Sequence, residues 1–218
     1  MNQPVPVKSR LIWIGAGLAL AVLFLAFVQN FLLGRAQLGK PLPVLGSITD
    51  FSLTNQDGQP VSLGTLRGRV WVADIIFTRC AGPCLKMSRQ MKELQEALPA
   101  SSQAKLVTLT TDPDFDTPAV LKAYSRRFGA DNNRWLFLTG TKQQLMSLAT
   151  GSLKLTAIEK KPDERESPAD LFIHSTIFVI VDKQGQLRGI FETSGEGINP
   201  AEVKEQILAA VRRLERES

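Results

Sequence analysis

Val70-Trp-Val-Ala-Asp-Ile-Ile-Phe77 is apolar at every position but one and rich in β-branched residues. A short run of this kind reads as a strand covered on both faces, as inside a sheet that carries helices on each side. Pro83 to roughly Leu98 then has a helical pattern, with Met87, Met91, Leu94 and Leu98 spaced by four, three and four. The alternation continues. Lys105 to Thr110 predicts a strand, and Thr117-Pro118 opens a helix ending at Phe128-Gly129, with threonine as cap, proline first inside and glycine past the end. Trp135 to Leu138 predicts a short strand, followed by a helix from Thr141 to about Leu148. Phe51-Ser-Leu and Val61-Ser-Leu flank Asn55-Gln-Asp-Gly58, and Ser175 to Val181 and Arg188 to Glu192 flank Asp182-Lys-Gln-Gly185, both hairpin signals. Thr156 to Asp170 is polar, contains proline and reads as a loop. From Pro200 an amphipathic helix places Val203, Ile207, Ala210, Val211 and Leu214 on one face.

Strands alternating with helices, closed by a hairpin and a helix, predict an α/β sheet of thioredoxin-like order over residues 51–218. The beginning of the chain is different. Leu11 to Val28 is an unbroken run of 18 apolar or glycine residues. As a helix it is roughly 27 Å long, near the thickness of a hydrocarbon core. No small-residue cleavage site follows it, so the run reads as an uncleaved transmembrane anchor within a 1–34 segment. Gly39, Pro41, Pro43 and Gly46 make 35–50 a linker. The net charge of +5 owes much to this part, because no acid precedes Asp50. The basic and acidic residues beyond it are interleaved, without the basic stripe that nucleic acid requires.

Only two cysteines occur, Cys80 and Cys84, which is too few for a disulfide framework and suits redox or metal chemistry. They lie where the buried strand hands over to a helix, Cys80 before it and Cys84 inside it. Free N–H groups at a helix start, with Arg79, Lys86 and Arg89 nearby, favour thiolate, which is both the nucleophile and the metal-binding form. Residues four apart on a helix lie about 6 Å apart along its axis, within the usual span of a disulfide. The pair can therefore chelate a metal when reduced and close on itself when oxidised.

His174 is the only histidine and stands at the start of an apolar strand, near one end of the sheet. Alone it reads as structural. With two thiolates it completes a three-ligand set suited to copper, as Cu(I) or Cu(II), although zinc accepts the same donors. Asp74 interrupts the buried strand. It either accepts a proton from one of the thiols during disulfide exchange or is satisfied by its neighbours.

Phe77-Thr-Arg-Cys80-x3-Cys84, Thr111-Asp-Pro-Asp-Phe-Asp-Thr-Pro118, Leu121-Lys-Ala-Tyr124, Arg127-Phe-Gly129, Leu138-Thr-Gly140 and His174-Ser-Thr with Asp182-Lys-Gln-Gly185 together resemble the Sco/SenC family, in the family's order, from about Phe51 to Glu192. Leu85 and Ile173 depart from the proline and the acid that many relatives carry beside the second cysteine and the histidine. The resemblance implies a thioredoxin fold on one membrane anchor and copper held by Cys80, Cys84 and His174. It also implies a role in assembling the binuclear copper centre of cytochrome c oxidase, whose copper-bearing subunit is the expected partner. Family members face the bacterial periplasm or the mitochondrial intermembrane space. Two other readings use the same sulfurs: a metal-free thiol–disulfide oxidoreductase, and a thiol peroxidase or redox sensor in which Cys84 resolves an oxidised Cys80.

Overall fold

A computed structural model describes residues 17–29, 41–80, 82–165 and 171–217. The chain divides into two compact units, Met1–Pro41 and Leu42–Ser218. In the first, residues 17–29 form helix α1, whose Leu18, Leu20, Leu23, Phe24 and Phe27 are exposed. Those 13 residues span roughly 20 Å. No described helix is long and apolar enough to cross a membrane. Leu11 to Ala16, the first part of the expected span, and Phe31 to Leu33 lie outside the described residues.

The second unit is built on an eight-stranded sheet. Its strands are β1 (Gly46–Ser47), β2 (Ser52–Asn55), β3 (Pro60–Ser62), β4 (Trp71–Ile76), β5 (Lys105–Thr110), β6 (Trp135–Thr139), β9 (Ile177–Val181) and β10 (Gln186–Glu192), in the order β1-β10-β9-β4-β5-β6-β2-β3. Strands β4, β5 and β6 run parallel and β9 antiparallel to β4. A separate two-stranded ribbon pairs β7 (Ala157–Glu159) with β8 (Phe172–His174). The helices are α2 (Leu63–Leu66), α3 (Pro83–Ala97), α4 (Pro118–Arg127), α5 (Lys142–Met146) and α6 (Pro200–Arg216).

Because side chains alternate along a strand, β4 divides its apolar residues between two cores. Trp71, Ala73 and Ile75 join a core with Leu63, Leu66, Leu148 and Leu153. Val72 and Ile76 join the other, which α3, α4 and α6 cover with Met87, Met91, Leu121, Ile207 and Val211. Asp74 shares the parity of Val72 and Ile76, so it faces the layer that carries the cysteines.

Both hairpin signals are realised by one device. Asn55 Oδ1 accepts the Asp57 and Gln59 N–H groups at 2.9 and 2.8 Å, and Asp182 Oδ1 accepts those of Gln184 and Gln186 at 3.0 and 2.8 Å. Each turn then closes on a glycine in left-handed backbone, Gly58 (φ 75°) and Gly185 (φ 81°), where a side chain would be strained.

Three segments differ from the sequence expectation. Leu42 onward, read as linker, joins the second unit: β1 pairs with β10, and the buried Arg188 donates to the Leu42 carbonyl at 2.7 and 3.2 Å. Second, α5 stops at Met146, and a π-helical stretch, Ser147–Leu153, carries the chain on to Lys154 at φ 62°. The stretch turns Leu148, Ala149, Ser152 and Leu153 into the core. The third is the polar stretch 156–170, whose described residues contribute β7 and a 3₁₀ turn, Pro162–Glu164. His174 accordingly ends β8, a strand of its own, and β9 begins only at Ile177.

Candidate metal centre

The cysteines sit at the carboxyl end of β4. The Cys80 N–H donates to the Phe77 carbonyl at 3.2 Å, turning the chain before α3 starts at Pro83. Gly82 caps α3 without a side-chain bond, and Cys84 lies in its first turn. Proline suits that start, since its missing N–H has no partner in a first turn. Both residues are thiols, and both are buried in the apolar cluster that contains Phe77, Met87, Tyr124 and Phe178.

A thiolate is not what this setting gives Cys84. Its pKa is pushed well above the ordinary thiol value, first by the hydrogen bond with Cys80 and then by burial. A backbone hydrogen bond from Phe77 pulls the other way, while charge on Cys80 and Asp74 raises it further. The cations expected to offset this are occupied or turned to water. Arg79 donates to Asp112 from Nε at 3.1 Å and from its terminal nitrogen at 2.5 Å, and its guanidinium lies 4.3 Å from the Phe115 ring centre. Lys86 and Arg89 are exposed. The resting pair is thus a hydrogen-bonded dithiol, and a metal ion must displace protons to bind it.

Asp74, fully buried, is close enough to Cys84 for its charge to act there, and it acts on Tyr124 as well. Tyr124 meets Ser88, one turn after Cys84 on α3, at 2.9 Å between hydroxyl oxygens. Burial raises the pKa of this phenol, the Ser88 bond lowers it, and charge from Cys84, Asp74 and Cys80 raises it again. Ser88 escaped notice in the sequence because it lies on an ordinary helical core position, and Tyr124 stood out only as part of the family resemblance, without its link to the cysteines.

The segment that carries His174 reaches the same end of the sheet. The Phe172 ring packs edge-on against Phe77, with centroids 5.2 Å apart, and Leu171 also lies against the cysteine cluster. Next to His174, the Ser175 N–H donates to the Thr156 carbonyl at 2.9 Å, and the Ser175 hydroxyl accepts from the Thr156 N–H at 3.1 Å. The backbone of His174 pairs with Ala157. Its imidazole lies outside the described part of the structure. Among the described residues, no three histidine, cysteine or acidic side chains converge as a metal site.

Two acids complete the picture. Asp112 holds Arg79, and Asp116, fully buried, accepts from the Thr78 N–H at 3.1 Å, the Thr78 hydroxyl and the Thr110 hydroxyl at 2.5 Å. Both belong to the Asp-Pro-x-x-Asp-Thr-Pro stretch, which marked the family resemblance without revealing its structural task.

The sequence matches the SCO1/SenC family over residues 45–212. The chain belongs to the SCO1/SenC family. It is 35% identical to the SCO1 protein homolog of Bacillus subtilis over 156 residues, 71% of this chain and 77% of that one. The solved structure of BsSco, described as having a disulfide switch and as a member of the Sco family of cytochrome c oxidase assembly proteins, matches with a TM-score of 0.68 at 28% identity. That match covers 82% of this chain and all of the other. Yeast Sco1 with copper bound shares the fold, with a TM-score of 0.63 at 23% identity over 78% of this chain and 90% of that one. The mixed α/β, thioredoxin-like architecture is therefore that of the family.

Proposed function

We propose that this protein is a membrane-anchored copper chaperone that binds one copper ion through Cys80, Cys84 and His174 and serves the copper-bearing subunit of cytochrome c oxidase. The observation that carries the reading is the edge-on packing of Phe172 on Phe77, 5.2 Å between centroids. It draws the segment ending in His174 against the strand that ends in the cysteine loop. Two sulfurs and one imidazole suit either oxidation state of copper, thiolate being the softer donor. Membership of the SCO1/SenC family and the oxidase-assembly role of BsSco support the same partner.

Binding replaces the protons of the dithiol by metal, and Asp74, buried beside Cys84, is proposed to accept one of them. The apolar run around α1 anchors the chain, with the second unit outside the cytoplasm, in the periplasm or the intermembrane space. The full chain should remain in the membrane pellet after carbonate extraction, and its release would overturn the anchor.

The binding test is copper stoichiometry on the full chain, reduced and oxidised. Reduced protein should take up one equivalent and the disulfide form none. Cys80→Ser, Cys84→Ser and His174→Ala should each weaken binding by more than the 10–100-fold typical of an outer-shell loss. If His174→Ala binds as tightly as wild type, the ligand assignment is wrong. A second reading, thiol–disulfide exchange without metal, draws on the hydrogen bond between Cys80 and Cys84. Copper below measurable stoichiometry, together with a reduction potential in the range of dedicated exchange catalysts, would favour it.

A further inference from the structure

Residues 112–117 turn tightly, with the Asp116 N–H donating to the Asp112 carbonyl at 2.8 Å and the Thr117 N–H to the Phe115 carbonyl at 2.8 Å. Thr117 caps α4 by itself, accepting the Val120 N–H. Asp116 therefore has no capping duty. Its carboxylate points the other way, into the protein, and is wholly buried. Burying a carboxylate is costly unless donors replace its water. Here three do, and two of them belong to Thr78, two residues before Cys80.

The hold is continuous from strand to sulfur. Phe77 is packed by Phe172, Thr78 is bound twice by Asp116, Arg79 is held by Asp112 and Phe115, and the Cys80 N–H closes back on Phe77. Cys84 needs no such support, because it stands on a 15-residue helix. The position of Cys80 relative to Cys84 thus depends on a loop from elsewhere in the chain.

We propose that Asp116 is a positioning residue for the cysteine pair: through Thr78 it fixes where the Cys80 sulfur stands, and so sets how readily the pair closes into a disulfide or grips a metal ion. This deepens the reading of Cys80 and Cys84 as a working pair and holds for either of its uses. Loosening the clamp lowers the effective concentration of one sulfur at the other.

The experiment is redox titration of the full chain in detergent against glutathione. Closing the pair breaks two S–H bonds and forms one S–S bond. Two electrons and two protons pass to glutathione disulfide, which leaves as two glutathione thiols. Asp116→Asn and Thr78→Val should each reduce the equilibrium constant for closure about tenfold, an upward shift near 30 mV in potential. Thr78→Ser, which restores the hydroxyl, should return the constant to within twofold of wild type. Leu148→Ala, in the other core, should lower stability without changing the potential. If Asp116→Asn does not fold, the Thr78→Val and Thr78→Ser pair decides. Constants within twofold of wild type in every folded clamp variant would overturn the proposal. The titration needs no copper, so failure of the copper reading and failure of the clamp are read separately.

Discussion

The two segments assigned to the metal centre are held in opposite ways. The cysteine loop grows from β4, a strand inside the main sheet, fully buried along its length and flanked by β5 and β9. The acid loop at 112–116 then fastens it. The His174 segment belongs to a two-stranded ribbon outside that sheet, and isolated ribbons of this size are marginal in water. Among the described residues, local contacts fix the ribbon: Phe172 against Phe77, Leu171 beside the cysteine cluster, the paired bonds between Thr156 and Ser175, and a surface ion pair from Glu159 to Lys142 on α5. In the proposed centre, two firmly placed donors and a third on a lightly held ribbon would let the site open on one side without disturbing the rest. That division suits the proposed delivery of a metal ion.

The Phe77–Phe172 pair tests this most strongly, since one ring belongs to each segment. Phe77 is 2% exposed, and its truncation to alanine leaves a core cavity. Phe77→Ala should cost about 3–5 kcal/mol in urea unfolding. Phe172 is only partly buried, and Phe172→Ala should cost about 1 kcal/mol, the scale of the aromatic contact itself. Copper affinity should nonetheless fall in Phe172→Ala. If it costs the domain as much as Phe77→Ala, the ribbon is an integral part of the core and the contrast fails.

How much of this could be read from the sequence follows the same division. Strand β4, helix α3 and the cysteine handover were legible because burial on both faces and a four-three-four spacing leave a mark in consecutive residues. Strand β5 was expected over the range it occupies, Lys105–Thr110. The ribbon left no such mark. Ala157–Glu159 and Phe172–His174 have three residues each, and what makes them strands is each other. The clamp was hidden for a related reason: Asp116 meets Thr78 across 38 positions, and no local pattern reports an acceptor for that distant N–H. Arg79 was read as an aid to thiolate, because its neighbour in sequence is Cys80 and its partner in space, Asp112, is not.

The pKa of Cys84 gives a second test, on the firm side of the comparison. Its value in the folded dithiol lies above that of an unfolded thiol, so the contribution is whole below about pH 8.5. As pH rises past that point the unfolded chain loses this proton and the folded chain keeps it, and stability falls. The loss approaches about 1.4 kcal/mol per pH unit for one group. Tyr124 adds a loss of the same sign above about pH 10. Urea unfolding of reduced protein at pH 7.5 and 9.5 should therefore show a decline that is smaller in Cys84→Ala. Equal declines would mean that Cys84 ionises in the folded chain, as the position at a helix start alone would suggest.

The smallest expected effect lies on the ribbon. Glu159 has its pKa lowered, chiefly by the hydrogen bond from Lys142, with Arg165 also nearby. A lowered carboxylate stabilises above its unfolded value, near 4.3, and loses that contribution as pH falls through the folded one. Both partners of the Lys142 pair are about half exposed, so solvent screens the attraction. Glu159→Gln should change unfolding free energy by less than about 0.5 kcal/mol, and 1 M salt should erase the difference. Amide exchange within β7 and β8 should quicken in the variant while that of β4 stays unchanged. A cost well above 1 kcal/mol, shared by β4, would mean that the ribbon and the sheet open together, and the proposed third donor, so firmly coupled, could not swing clear to let a metal ion go.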